Sequence, residues 1–279
     1  MKLDLHCHTN CSDGSDDWKT ILKKAQSLGL EYLSITDHNN CNAYFGMAGL
    51  NPRPSELFSG KIITGIEPEC HYRGRLIELL GYGIDTSIMR KLLEGVYLPT
   101  EKILEEQYKR IFRKCIQMGI HFTTGIFDKW DRAKHYYGGC HLHADMIKYP
   151  ENQKLVPADS WRNSIQFYRN LKIDETDLFP SAKTIVDIIR RAGGKVFVPH
   201  VFLYGDDSMA ILNGLVKDFH VDGVECFYNS FTPEQTEFLL DFCRKHKLLV
   251  SAGSDYHGAA RPHVKLGVDD ARLDKLFPW

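Results

Sequence analysis

Histidines and acidic residues recur where short apolar segments of this chain end. The sequence reads HCH at residues 6–8, DH at 37–38 and DYH at 255–257. In an extended chain, residues i and i+2 point to the same side, so both histidines of the first motif can face one ion. The acid and the histidine of the last motif have the same relation. Imidazole together with carboxylate is a ligand set for zinc, manganese and iron, so these motifs indicate a metal site.

The number of candidate ligands exceeds what a single ion needs. The ends of the predicted strands carry His6, His8, His38, Glu67, His200, Asp255 and His257. A tetrahedral zinc takes about four ligands, so the set predicts two or three divalent ions that share carboxylate bridges. Centres of this kind typically hydrolyse phosphate esters, with a metal-activated hydroxide as the nucleophile.

Strand-like and helix-like segments alternate along the chain and would position these ligands. Apolar runs predict strands at residues 2–6, 32–36, 62–66, 76–82, 195–199, 221–228 and 248–253. Amphipathic spacing predicts helices between them, for example at 18–28 and 233–246. Such repeats indicate a parallel, barrel-like α/β fold. In such a barrel the active-site residues lie at the carboxyl ends of the strands, which is where these ligands occur.

One segment interrupts this alternation. A helix is predicted at 100–118, followed by an aromatic and charged stretch and then by a turn-rich segment. We interpret residues 1–279 as a single domain, and residues 100–179 within it as a mainly helical, cap-like insertion that covers one end of the barrel.

The composition is that of an ordinary globular protein. The 279 residues are 43% hydrophobic and 25% charged, which excludes a disordered or fibrous chain. With 35 Lys and Arg against 36 Asp and Glu, the near-zero net charge argues against a stable nucleic-acid complex. The eight cysteines form no CxxC pair, and neither a secretory signal nor an apolar run of membrane-spanning length is evident. We therefore expect a cytoplasmic protein with reduced thiols.

Five ordered motifs resemble those of the polymerase-and-histidinol-phosphatase (PHP) superfamily. They are LHCHTNCSDGS from residue 5, SITDHN from residue 34, TGIE from residue 64, the apolar strand that ends in His200, and SAGSDYHG from residue 251. The resemblance covers the chain apart from the insertion. It implies a distorted (β/α)7 TIM-like barrel and phosphoesterase activity that depends on two or three divalent ions, namely manganese, iron or zinc.

The resemblance also implies a role for each candidate ligand. The first ion would be held by His6, His8, Glu67 and Asp255, the second by Glu67 and His200, and the third by Asp13, His38 and His257. Asp37 matches the acid of the TDH motif and would orient a ligand or handle a proton. We assign catalytic proton handling to Asp37 and His257.

One position departs from the family pattern, and a second match has two candidates. The motif His-x-Leu-Gly, whose histidine binds the second ion in many members, has Glu78 in place of that histidine. Glutamate can also ligate, and it would favour harder ions such as manganese or iron. In the insertion, where members carry a histidine facing the active site, His141 and His143 are both candidates. We favour His141.

Phosphate contacts must come from elsewhere, since the arginine that often precedes that histidine is absent. The candidates are Arg73, Arg75 and Arg261, because planar guanidinium binds phosphate oxygens in pairs. We favour Arg261, which follows the closing motif, and His71 is a further candidate for substrate contact.

These features together predict a metal-dependent phosphoesterase for a small phosphorylated substrate. A nucleotide, a sugar phosphate and histidinol phosphate are all compatible, and a short oligonucleotide is a possible substrate. Two alternatives stay open. One is a non-catalytic metal-binding module, and the other is an amidohydrolase-type barrel acting on C–N bonds. The second alternative typically needs a carboxylated lysine or a mid-barrel glutamate, and no lysine ends a predicted strand.

Overall fold

The computed structural model describes residues 1–48, 52–126, 138–159 and 164–277. The chain divides into two compact units. The first unit combines residues 1–96 with 180–279, and the second comprises residues 97–179. No helix within the described ranges is long and apolar enough to cross a membrane.

Eleven strands of the first unit are described. They are β1 (Lys2–Cys7), β2 (Tyr32–Ile35), β3 (Lys61–Ile62), β4 (Gly65–Ile66), β5 (Glu69–Tyr72), β6 (Arg75–Glu78), β7 (Leu80–Tyr82), β8 (Lys195–Val198), β9 (Gly223–Tyr228), β10 (Leu249–Gly253) and β11 (Val268–Asp269). One sheet has the order β11-β1-β2-β3 and another the order β10-β9-β8-β7-β4, while β5 and β6 form a separate hairpin.

Helices connect these strands. In the first unit they are α1 (Trp18–Leu28), α2 (Asn42–Met47), α3 (Pro54–Leu57), α4 (Thr86–Leu93), α8 (Ala182–Arg191), α9 (Ser208–Phe219), α10 (Pro233–His246) and α11 (Leu273–Leu276). The second unit contains α5 (Thr100–Gln117), α6 (Gly138–Met146) and α7 (Ile165–Asn170).

The helix ends follow the sequence signals. The Asp17 side chain accepts a hydrogen bond from Thr20 N and caps α1, which stops at Gly29 in the left-handed conformation (φ 68°). The α10 helix begins with a capping box in which Thr232 and Gln235 bond each other's backbone N–H. The predicted bounds of α10 are confirmed.

The mixed α/β class is confirmed, whereas closure into a (β/α)7 barrel is not, because the described strands form two main sheets. The predicted third strand at 62–66 is instead split, with β3 in one sheet and β4 in the other. The predicted fourth strand at 76–82 is split as well, into β6 and β7. The β5–β6 hairpin, and not a crossover helix, joins β4 to β7, so these two strands run antiparallel. The strand β7 also runs antiparallel to β8.

Isolated bridges and single hydrogen bonds join the two sheets at the carboxyl ends of their strands. Cys7 forms a parallel bridge with Tyr256, just beyond β10, and His38 forms one with Glu67, just beyond β4. The N–H of His8 donates to the Tyr256 carbonyl at 2.8 Å. These links bring the first, second, third and last sequence motifs to one edge of the fold.

The second unit has its own hydrophobic cluster, which includes Tyr108, Cys115, Leu142 and Met146. The predicted helix at 100–118 is confirmed as α5. The regular elements in the described part of this unit are all helical. That it forms a cap within a single domain stays a prediction.

One glycine allows the close approach of β1 and β10. A Cβ atom at Gly253 would lie 2.1 Å from the Cβ of His6 and 2.8 Å from Oε1 of Glu225. Any side chain at this position would push β1 away from β10 at the level of the HCH motif.

We expect Gly253→Ala to destabilise the protein by about 1–3 kcal/mol through overpacking, which corresponds to a Tm lower by at least roughly 2 °C. Differential scanning calorimetry measures this shift. The control is Gly46→Ala in α2, where the nearest atom is the Trp18 indole nitrogen at 3.1 Å and a small change is expected. An unchanged Tm for Gly253→Ala would show that β1 and β10 are not this closely packed.

Candidate metal centre

Three groups of potential ligand atoms lie at this edge of the first unit. They are His6, His8, Glu67 and Asp255 (group one), Glu67, Glu78 and His200 (group two), and His8, Asp13, His38 and His257 (group three). Within each group the ligand atoms lie within 4.8 Å of one another. Because Glu67 belongs to groups one and two and His8 to groups one and three, the three groups are contiguous.

Group one is the most deeply buried. Nε2 of His6 and Nε2 of His8 each lie 3.1 Å from Oε2 of Glu67. The same two nitrogens lie 3.5 Å and 3.3 Å from Oδ1 of Asp255. Two imidazole nitrogens and two carboxylate oxygens therefore face a common point, as the i, i+2 spacing of the HCH motif predicts.

Group two contains the departure from the family pattern. Nε2 of His200 lies 3.0 Å from Oε1 of Glu67 and 3.4 Å from Oε2 of Glu78. The Glu78 side chain is 29% exposed, and its backbone N–H donates to the Tyr204 hydroxyl at 3.0 Å. Glu78 therefore reaches the position where a second-ion ligand is expected, and it makes this group rich in oxygen donors.

Group three lies around Asp13. Its Oδ1 is 3.4 Å from Nδ1 of His8 and 3.8 Å from Nε2 of His38, and its Oδ2 is 3.0 Å from Nε2 of His257. The rings of His8 and His257 stack with centroids 4.1 Å apart. Three imidazoles and one carboxylate make this the most nitrogen-rich of the three groups.

The donors fit divalent cations. Nε2 of His6 and Nε2 of His8 are buried and face carboxylate oxygens, yet neither has a hydrogen-bond partner in the described structure. Native proteins rarely leave buried polar atoms in this state. Imidazole nitrogens that converge with carboxylate oxygens supply the coordination that manganese, iron or zinc requires.

Glu225 orients two of these ligands, His6 and His200, and belongs to none of the three groups. Its Oε1 lies 2.9 Å from Nδ1 of His6, and its Oε2 accepts a hydrogen bond from the backbone N–H of His200 at 2.8 Å. When Nδ1–H of His6 donates to Glu225, the Nε2 lone pair of the ring points at group one.

Asp4 is a second buried acid that supports the centre, and sequence reasoning missed it. Its carboxylate accepts hydrogen bonds from the backbone N–H groups of His6, Ser254 and Gly267 at 3.1, 3.0 and 2.7 Å. It thereby fixes β1 against Ser254 within the closing motif and against Gly267 beyond it. The available signal was its position two residues before His6, on the same side of β1.

Asp37 does not belong to any of the three groups. Its carboxylate accepts hydrogen bonds from the backbone N–H and the hydroxyl of Thr9, both at 2.7 Å, and from the Ser12 hydroxyl at 2.6 Å. These bonds hold the loop between His8 and Asp13. This geometry makes Asp37 a positioning residue, and its participation in proton transfer stays a prediction.

Arg261 lies beside group one. Its Nη1 contacts Oδ2 of Asp255 at 2.5 Å, and the Tyr228 hydroxyl donates to the same oxygen at 2.8 Å. These two contacts leave Oδ1 of Asp255 to face the histidines of group one. The Arg261 side chain is 40% exposed, so the guanidinium is accessible to a ligand. No sequence pattern pointed to Tyr228.

The other arginine candidates have partners on the surface. Arg73 pairs with Asp218 at 2.9 Å, and Arg75 pairs with Asp207 at 3.0 Å. His71 lies on β5, where its backbone N–H donates to the Pro180 carbonyl, and its side chain is in none of the three groups.

The two histidine candidates of the insertion lie on α6 in the second unit. The His141 ring stacks on Tyr108 with a centroid distance of 6.3 Å. His143 is buried, and its Nδ1 lies 2.6 Å from the Tyr168 hydroxyl. A substrate contact by His141 stays a prediction.

The carboxylates change the acid–base behaviour of two rings. Burial lowers the pKa of His8, but Asp255 and Glu67 outweigh this effect and raise it to about 10. Burial likewise opposes protonation of His200, yet Glu67 and Glu78 raise its pKa to about 9. Opposite charges close to a buried ring stabilise its protonated form, so both rings carry a proton at neutral pH when no cation replaces it.

A family model for the PHP domain matches residues 4–177. The chain belongs to the PHP domain family. The prediction made from the five ordered motifs is confirmed, and the ligands described above, apart from Glu78, lie on those motifs.

Two relatives align with nearly all of this PHP protein. A 5'-3' exoribonuclease of Haemophilus influenzae is 25% identical over 288 residues, covering 99% of this chain and 97% of the relative. A phosphoribosyl 1,2-cyclic phosphate 1,2-diphosphodiesterase of Eggerthella lenta is 24% identical over 281 residues, covering 95% of this chain and 98% of the relative.

A solved structure supports the fold. The crystal structure of a protein from Bifidobacterium adolescentis that is described as a metal-dependent phosphoesterase matches this chain with a TM-score of 0.61 and 22% identity. The match covers 98% of this chain and 94% of that one.

We expect metal affinity to rise with pH between 6 and 8. A cation must displace the protons of His8 and His200, whose pKa values of about 10 and 9 lie above this range, so binding releases protons. Each displaced proton contributes about a tenfold change in affinity per pH unit. Isothermal titration of metal-stripped protein with Mn²⁺, in buffers of different ionisation enthalpy, measures both the affinity and the number of protons released.

The matched variant for this titration is His200→Asn, which lacks one displaceable proton and should release fewer protons than the wild type. An affinity that is constant from pH 6 to pH 8 would contradict the assignment of these rings as ligands.

Proposed function

We propose that this protein hydrolyses phosphate esters at the centre formed by the three ligand groups. The observation that carries the proposal is their contiguity, since Glu67 and His8 are each shared between two groups. Contiguous sites of imidazole and carboxylate suit two or three ions acting on one substrate. The family membership and the names of both relatives support the same reaction class.

The donor types suggest how the ions are distributed. Group three, with three imidazoles, suits zinc or iron, whereas the oxygen-rich group two suits manganese or iron. When bound, divalent ions supply activation of water and neutralisation of the phosphoryl oxygens.

The protein's own residues bind and orient the substrate. Arg261 presents an accessible guanidinium next to Asp255, where it can bind two oxygens of a phosphate group. One carboxylate oxygen of Asp255 stays available to an ion, because the Tyr228 hydroxyl and the Arg261 guanidinium both contact the other oxygen. Asp37 fixes the Thr9–Ser12 loop and thereby the position of Asp13.

His257 is the candidate for proton handling. Burial lowers its pKa, so the ring is neutral near pH 7. Its Nδ1 lies 2.8 Å from the Asp255 carbonyl, and its Nε2 lies 3.0 Å from Oδ2 of Asp13. Because Nδ1–H donates to the Asp255 carbonyl, Nε2 is the nitrogen that can take up or release a proton, and it does so only while no ion occupies its lone pair.

A nucleotide or a short oligonucleotide is the substrate class that we favour. One relative is named for cleaving RNA and the other for cleaving a cyclic phosphate of a ribose derivative. Both names describe phosphoesters on ribose.

We expect Asp255→Asn to lower kcat by at least about 100-fold, because it weakens binding of the charge-stabilising ions. The assay uses the full chain supplied with Mn²⁺ and measures the release of p-nitrophenol from p-nitrophenyl phosphate, and of phosphate and mononucleotide from a 5'-phosphorylated dinucleotide. Metal content is determined on the same samples. The isosteric control is Asp187→Asn on α8, whose side chain is 53% exposed and pairs with Lys183.

Two results would overturn the proposal. If Asp255→Asn keeps both its metal content and its activity, the site is wrongly assigned. If the wild type holds ions but cleaves no phosphate ester, the protein is a metal-binding module.

A further inference from the structure

Four aromatic side chains form a continuous row on the first unit, which we call the aromatic ridge: Tyr228, Phe231, Phe202 and Phe238. Tyr228 ends β9, Phe231 follows it, and Phe202 lies in the turn Val201–Asp207 directly after β8. Phe238 lies on α10, the helix that follows β9. Most of the ridge therefore stands at the carboxyl ends of β8 and β9, the edge that also carries the metal centre.

The rings of the ridge contact one another in sequence. The Tyr228 and Phe231 centroids lie 5.1 Å apart, those of Phe231 and Phe202 5.2 Å, and those of Phe202 and Phe238 6.2 Å. These are normal separations for interacting aromatic pairs. The ridge is thus one connected apolar surface.

The ridge begins at the metal centre. The Tyr228 ring lies 5.5 Å from the ring of His200, and its hydroxyl donates to Oδ2 of Asp255. His200 belongs to group two and Asp255 to group one. The inner end of the ridge is therefore in contact with two candidate metal ligands.

The outer end of the ridge is open to solvent. Phe238 is 47% exposed, and Leu203, next to Phe202, is 43% exposed. Tyr228, Phe231 and Phe202 are half-buried. A connected aromatic surface that stays accessible beside a catalytic centre is typical of a ligand site.

Two different recognition elements converge on one oxygen. Oδ2 of Asp255 binds both the Arg261 guanidinium and the Tyr228 hydroxyl. A phosphate held by Arg261 would consequently lie near Tyr228, at the inner end of the ridge. The ligand that satisfies both elements combines a phosphate with a planar aromatic group.

We infer that the aromatic ridge binds the nucleobases of a nucleotide or short oligonucleotide by stacking. The inference rests on the proposed phosphoesterase function and deepens it by naming the part of the substrate that is recognised. Aromatic side chains stack on any base, so the ridge gives selectivity for nucleotides over other phosphate esters without selecting a base sequence.

The test compares two substrates that differ only in their bases. One is a 5'-phosphorylated ribodinucleotide, and the other is the same compound with both bases replaced by hydrogen. Loss of one stacking ring weakens binding by roughly 5- to 150-fold per base. Phe202→Ala should therefore raise KM for the dinucleotide by at least about fivefold, and leave kcat/KM for the base-free compound within about twofold.

Matched variants separate stacking from stability. Phe202→Tyr keeps an aromatic ring and should retain a wild-type KM. Phe277→Ala is the control, because it removes a half-buried ring that packs on Tyr32 at the amino end of β2, with a centroid distance of 4.6 Å. Should Phe202→Ala fail to fold, Phe238→Ala removes the most exposed ring of the ridge and is subject to the same expectation.

A direct binding measurement supplements the kinetics. A dinucleotide containing 2-aminopurine loses fluorescence when its base stacks, so wild-type protein should quench it and Phe202→Ala should quench it less. Equal losses on both substrates, or no loss on either, would overturn the inference while leaving the phosphoesterase function in place. Failure of the wild type to cleave even the base-free compound and p-nitrophenyl phosphate would instead contradict the proposed function itself.

Discussion

The structure depends on one buried carboxylate. Glu67 is 1% exposed, and its Oε2 faces His6, His8 and His38 while its Oε1 faces His200. An unpaired charge in such a position would cost several kcal/mol. Here the surrounding rings hold the pKa of Glu67 well below its usual range although burial opposes ionisation. Glu67 is stable only because donors from distant parts of the chain converge on it, and those donors in turn require the acid.

This convergence explains the irregularity of the sheets. The chain leaves one sheet after β3 and enters the other at β4, so that Glu67 emerges between the two. The strand β4 begins with Gly65, where a Cβ would lie 2.2 Å from the Ser34 hydroxyl. Two ligands also adopt positive φ, His200 at 24° and Asp255 at 56°, which is uncommon for residues with side chains. Strain of this kind persists where the surroundings over-determine the conformation, as paired ligands do here.

Much of the ligand set could be predicted because spacing is a local property. The i, i+2 relation of His6 with His8 follows from the geometry of an extended chain, and Asp255 reaches the same point because its strand ends beside theirs. The support from Asp4 was not predicted, since it joins β1 to Ser254, which lies 250 residues away in sequence. The division of residues 62–66 and 76–82 into four strands was also missed, because apolar runs do not show where a chain changes sheets.

An anomalous difference map from crystals of the protein grown with Mn²⁺ tests directly whether ions share Glu67. We expect at least two peaks, one facing each oxygen of Glu67, with a ligand distance of about 2.2 Å. One peak should lie among His6, His8 and Asp255, and another beside His200 and Glu78. Peaks that do not involve Glu67, or a single ion bound elsewhere, would contradict a shared centre built around this carboxylate.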